Sequence, residues 1–148
     1  MIHASRILVP IKGNPSDVEV LELACEIARK SKAQIYAIHV IEVKRTFPLD
    51  AELQEEAERG EDLLNQAEQV GERLGMTIHT DLLQARDVGS AIVDEVLERG
   101  IDLVIVGIVF KKRFGGFDLG VTLPYVLKHA PCRVWVCRQA IASPSSGR

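Results

Sequence analysis

Chemistry-bearing residues are densest between Gly107 and Thr122 (GIVFKKRFGGFDLGVT), where four glycines and three consecutive cations precede a stretch of helical pattern. Glycine permits close backbone approach to a ligand, and the first N–H groups of a helix lack intrahelical partners, so such a segment can cradle a phosphate. Lys111, Lys112 and Arg113 would add charge-assisted contacts to the same anion. The same residues also suit a plain surface loop, in which Gly115 and Gly116 make a turn, the cations are solvated and Thr122 caps the helix. Asp118 is the only carboxylate in the segment, so no general base stands out and catalysis ranks below binding.

Other site chemistries fare less well. The chain has no Gly-x-x-x-x-Gly-Lys-(Ser/Thr) loop, no Gly-x-Gly-x-x-Gly after its first strand and no Gly-x-Ser-x-Gly elbow. Cys25, Cys132 and Cys137 form no Cys-x-x-Cys pair, and reduced thiols with no metal are expected. His39 and His79 fall on neighbouring strands, which allows a metal pair, but no third ligand is evident and structural roles are expected. Phe110, Phe114 and Phe117 interleave with the cations in the manner of a single-strand stacking surface. A loop packing its aromatics onto the domain accounts for them more simply.

The elements that must position this loop follow from the alternation of short β-branched runs with longer stretches of helical spacing. Strands are expected at Arg6 to Lys12, Ala33 to Glu42, Met76 to Ala85, Asp102 to Gly107 and Cys132 to Arg138. Between them lie helices from Asn14, from about Asp50 to Leu74, from Asp87 to Arg99, and from near Gly120 to His129. Asn14-Pro15-Ser16-Asp17 is an N-terminal signature, with Asn14 as cap and Pro15 at the first helical position. Val18, Leu21, Cys25 and Ala28 would form the apolar face of that helix, while Val88, Ile92 and Val96 line the third. Gly75 and Gly100 read as C-terminal caps, and Pro124 is tolerated in a first turn. Near-continuous apolar strands imply a parallel sheet covered on both faces. The expected fold is α/β, a doubly wound five-stranded parallel sheet of order 3-2-1-4-5, with its ligand crevice where Pro10 to Asn14 face Gly107 to Thr122.

The segments ILVPIKGNPSD, His39-Val40-Ile41, DLVIVG and LGVTLPYVLKHAPCRVWVCR resemble the universal stress protein family, from Ile7 to Arg138. The resemblance implies a dimer through the last strand, at Val134, Trp135 and Val136, and in many members ATP or a related adenine nucleotide, with magnesium entering only alongside it. Carried over by position, the adenine pocket involves Pro10, Ile11, Lys12 and Val40. The phosphate cradle involves Gly107, Lys111, Arg113, Gly115, Gly116, Gly120, Val121 and Thr122. The family motif is Gly-x-x-Gly, nine residues, then Gly-(Ser/Thr). Gly107 and Gly120 are in register, Phe110 stands at the middle glycine, Val121 at the hydroxyl position and Thr122 one place late. Lys12 occupies a position commonly acidic in ATP-binding members, which removes a hydrogen-bond acceptor. The RFGGFDLG segment is similar to loops of stress-protein domains associated with amino-acid permeases or antiporters. That implies an alternative role as a nucleotide-independent interaction module regulating a membrane transporter.

Composition sets the outer bounds. With 47% hydrophobic and 26% charged residues and a net charge of -3, one domain over residues 1–140 is expected, followed by a disordered tail over 141–148. The acidity argues against a duplex DNA partner, and no apolar run approaches the roughly 20 residues of a membrane span, so a cytoplasmic protein is expected. Nine of the 21 acidic residues fall between Asp50 and Leu74, so the net charge conceals the local cations of the loop.

Overall fold

The computed structural model describes residues 3–109, 112–113, 116–117 and 119–140, with side chains described outside 110–118. The elements run β1 (Arg6–Pro10), α1 (Ser16–Ser31), β2 (Gln34–Glu42), α2 (Gln54–Arg73), β3 (Ile78–Ala85), α3 (Val88–Arg99) and β4 (Leu103–Ile108). A two-stranded ribbon, β5 (Lys112–Arg113) and β6 (Gly116–Phe117), precedes α4 (Thr122–His129) and β7 (Arg133–Arg138). The main sheet has order β3-β2-β1-β4-β7, its determined neighbours all parallel, which is the expected 3-2-1-4-5 arrangement. The antiparallel ribbon differs from the plain loop expected over this segment. The expected tail, 141–148, lies outside the described residues.

Alternation along the strands divides the core between two faces. Ile7, Val9, Ile35, Ala37, Leu103 and Ile105 pack with α1 and α2, whereas Leu8, Ile38, Val104 and Val106 pack with α3 and α4. Cys25 is fully buried in the first cluster, and Cys132 and Cys137 pack against different clusters, so the sheet separates them.

Local signals hold at several helix ends. Asp87 Oδ1 accepts from Ser90 N at 3.1 Å, and Gly100 ends α3 in the left-handed region at φ 63°. Helix α1 starts one residue later than expected, at Ser16, so Pro15 rather than Asn14 is its N-cap, and Asn14 Oδ1 accepts from Ser16 N at 2.9 Å from the position before the cap. The apolar face of α1 differs from expectation. Val18 is 43% exposed, and Val20, Leu21, Ala24, Cys25 and Ala28 are the buried set, because Ser16 and Val20 are the α1 side chains that meet β4 at Gly107. Helix α2 starts at Gln54 rather than near Asp50, since Gln84 Nε2 donates to the Leu49 and Ala51 carbonyls at 2.8 and 3.1 Å and holds that segment as a loop. Strand β3 starts at Ile78 rather than Met76, whose N–H instead donates to Gly71 O at the end of α2.

Candidate functional site

Strand β1 stops at Pro10, and the turn that follows is anchored from three directions. Ile11 N donates to Ile38 O at 2.9 Å, Arg59 Nη2 donates to Lys12 O at 3.2 Å, and Gly13 N donates to Asp17 Oδ2 at 2.7 Å. His39 Nδ1 lies 2.8 Å from Ile11 O, and because a carbonyl only accepts, that ring nitrogen carries the proton. Gly13 has φ 88°, a conformation that requires glycine, and the nearest atom to a Cβ there would be the Arg59 guanidinium at 2.9 Å. Burial pushes the Asp17 carboxyl above its ordinary value, and the Gly13 hydrogen bond only partly opposes that.

Beside this turn lies a cleft of about 250 Å³ lined by Pro10, Ile11, Lys12, Ile38, His39, Val40, Glu42, Val88 and Thr122. The carboxyl ends of β1 and β2 supply its apolar wall, and the first residues of α3 and α4 supply the opposite side. The polar groups at the mouth are Lys12, Glu42 and Thr122. The N-cap of α4 is Val121, whose side chain offers no hydrogen bond; among the described residues no side chain caps the helix, and Gly120 turns into it with φ 71°. The N-terminal end of a helix carries the positive end of its dipole, which suits an anion.

Of the residues expected to form a pocket, Pro10, Ile11, Lys12, Val40 and Thr122 line this one cleft. Gly120 and Val121 lead directly into α4 beside it, and Val121 is 86% exposed. Gly107 stands on the opposite face: an added Cβ would lie 2.5 Å from Ser16 Oγ and 2.8 Å from Val20 Cγ2, so glycine there admits α1 against β4. The crevice was expected between β1 and β4, whereas the cleft opens over β1 and β2. Lys111 and Gly115 lie outside the described residues, as do Phe110, Phe114 and Asp118; Arg113 and Gly116 are placed only as members of the ribbon.

Four cleft residues, Ile38, His39, Glu42 and Val88, were not among the expected set. The glycine motif lies wholly on the loop, while Glu42 carries a signal of its own as the polar end of an apolar strand. His39 and His79 do not form a metal pair. His79 is in register with Tyr36 and stacks on it at 5.3 Å, whereas His39, three residues later on β2, points to the other face, against α2. No metal-holding group of three His, Cys, Asp or Glu occurs among the described residues.

At the sheet edge, β7 pairs with β4 on one side only among the described strands. Val134 packs with the α3 and α4 cluster and Trp135 with the α1 and α2 cluster, both half-buried, and Val136 is 41% exposed.

Residues 3–138 match the model of the universal stress protein family. A universal stress protein of Methanocaldococcus jannaschii is 29% identical over 140 residues, which cover 90% of this chain and 82% of that protein. Among solved structures, UspA of Lactobacillus plantarum superposes with a TM-score of 0.76 at 24% identity, covering 93% of this chain and all (100%) of that one. The Archaeoglobus fulgidus protein solved in complex with dAMP gives a TM-score of 0.70 at 21% identity, with 92% and 98% covered.

Proposed function

Since the chain belongs to the universal stress protein family, we propose that it is a non-enzymatic regulatory domain that binds an adenine nucleotide in the cleft above β1 and β2. The observation that carries this reading is convergence: Pro10, Ile11, Lys12, Val40 and Thr122, drawn from three separated segments, share one concave site. The base sits against Pro10, Ile11, Ile38 and Val40, where backbone groups at the strand ends can read its edge. The phosphate end faces Gly120, Val121 and the α4 N-terminus, with Lys111, Arg113, Gly115 and Gly116 contributed by the preceding loop. At about 250 Å³ the cleft falls below the roughly 300–1,000 Å³ usual for ligand pockets. That size favours a nucleoside held inside with a short phosphate at the mouth, so a monophosphate fits better than ATP. Magnesium then enters, if at all, with a longer phosphate chain. The related A. fulgidus complex with dAMP supports this choice.

Homodimerisation through Val134, Trp135 and Val136 belongs to the same reading, because among the described strands β7 is paired on one side only and carries an exposed valine. A nucleotide-independent module acting on a membrane transporter is the second reading, favoured by Phe110 and Val121 at motif positions that are otherwise glycine and hydroxyl-bearing. Calorimetric titration of ligand-free protein with AMP, dAMP, ATP and adenosine separates the two. Micromolar binding of AMP that Thr122→Glu weakens by about tenfold or more, by setting a carboxylate against the phosphate, is the expected result. Absence of binding by all four ligands, after mass spectrometry has shown no copurified nucleotide, would sink the first reading.

A further inference from the structure

On the face of the sheet where α3 and α4 lie, edge strand β3 is only half covered. Helix α2 lies directly on its other face, where a Cβ on Gly71 would stand 2.9 Å from Ile78 Cγ1. Between β3 and α3 a groove of about 380 Å³ remains, distinct from the nucleotide cleft. Its floor is apolar, from Leu83 of β3 and Ala91 of α3, and Leu49, 48% exposed, forms the rim. The opposite wall is acidic: Asp87, Asp94 and Glu98 recur down one side of α3, and the last two are exposed and one turn apart.

The groove is preformed. Gln84 Nε2 donates to the Leu49 carbonyl at 2.8 Å, and the lining carboxylate Glu95 is held by Arg99 at 2.8 Å, which also pairs with Asp81 at 2.7 Å. Arg86 is the one cation lining the groove among the described residues, and it is committed elsewhere. Its Nη1 donates to the carbonyls of Lys44 and Phe47 at 2.6 and 2.8 Å. Four carboxylates, Asp87, Asp94, Glu95 and Glu98, against this one cation leave the lining negative next to an apolar floor.

We propose that this groove docks a basic amphipathic segment of a partner protein, seating a Leu-like or Ile-like side chain on Leu49, Leu83 and Ala91 and setting Lys or Arg against Asp94 and Glu98. The charge complementarity selects this occupant over nucleic acid or an anionic membrane, both of which the acidic wall repels. The apolar floor selects it over a bare cation, which gains nothing from Leu83.

Fluorescence anisotropy with a labelled, end-blocked dodecapeptide of Leu, Ile, Lys and Arg tests the proposal on the full chain. Binding is expected that Asp94→Lys/Glu98→Lys weakens by about tenfold or more and that Leu49→Ser weakens by a smaller factor. The control Glu55→Lys/Glu58→Lys, on exposed acids of α2, should leave it unchanged. Equal weakening by the α2 control, or equal binding of a Lys/Arg/Ser peptide without apolar residues, would reduce the effect to general electrostatics and overturn the proposal. Failure of the peptide to bind overturns it too. So does a mass that doubles with concentration in light scattering and reverts in Asp94→Lys/Glu98→Lys, since the groove then holds a second copy. Because AMP titration is a separate measurement on a separate site, the peptide result leaves the nucleotide reading untouched.

Discussion

The two faces of the sheet are built from the same alternating apolar strands, yet their helices cover the central strands to different degrees. Over α1 and α2 the helices come to glycine distance of their neighbours: a Cβ on Gly60 would lie 2.6 Å from Leu82, and one on Gly107 would lie 2.5 Å from Ser16 Oγ, while a concavity of about 260 Å³ remains beside α1 at Cys137 of the edge strand β7. Over α3 and α4 the cover is incomplete, leaving the cleft at the ends of β1 and β2 and the groove beside β3. Helices that approach to glycine distance exclude ligands, and helices that stop short leave concavities. The α1 and α2 face also stabilises the other, because His39 and Arg59 reach from the α2 side to hold the carbonyls of Ile11 and Lys12 at the cleft's edge.

The contrast is sharpest in paired truncations. Ile35→Ala, fully buried on the α1 and α2 face, should cost about 2–5 kcal/mol in urea unfolding, whereas Leu83→Ala, half-buried over the groove, should cost well under half of that. Equal costs would mean that the α3 and α4 face is packed as tightly as the other. Next in size, Gly107→Val should cost about 1–3 kcal/mol through overpacking against Ser16 and Val20. If that glycine instead served ligand approach, the variant would keep its stability and lose only nucleotide affinity.

The smallest effect concerns pH. Burial raises the folded pKa of Asp17 above its ordinary 3.8, so the folded state holds this proton more tightly than the unfolded chain does. Its contribution to stability is therefore fully present below that ordinary value and is lost as pH rises through the raised folded value. Unfolding of Asp17→Asn, compared with the parent across that window, should show the parent losing ground as pH rises. An opposite slope would mean that the Gly13 hydrogen bond outweighs burial.

Much of this was legible along the chain wherever the cause was local. The cap at Asp87, the stop at Gly100 and the sheet order follow from residue types within a turn of one another, or from strand and helix alternation. Val18 shows the limit: three- and four-residue spacing admits more than one stripe on a helix, and contact with β4 selected Val20 instead. The site followed the same division. Pro10, Ile11, Lys12, Val40 and Thr122 could be named from family resemblance, but the cleft's position over β1 and β2, and the presence of Val88 in it, depend on where α3 comes to rest.

By itself the sequence determined the alternating α/β pattern, the direction and order of the strands, and hence the end of the sheet at which a ligand can bind. Only the tertiary structure decided that Gly107 serves packing, that His39 and His79 face opposite ways, and which gaps stay open. The reason is physical: periodicity acts between residues a few positions apart, whereas a cleft is set by how closely whole helices approach the sheet, through contacts such as His39 with Ile11 that span 28 residues.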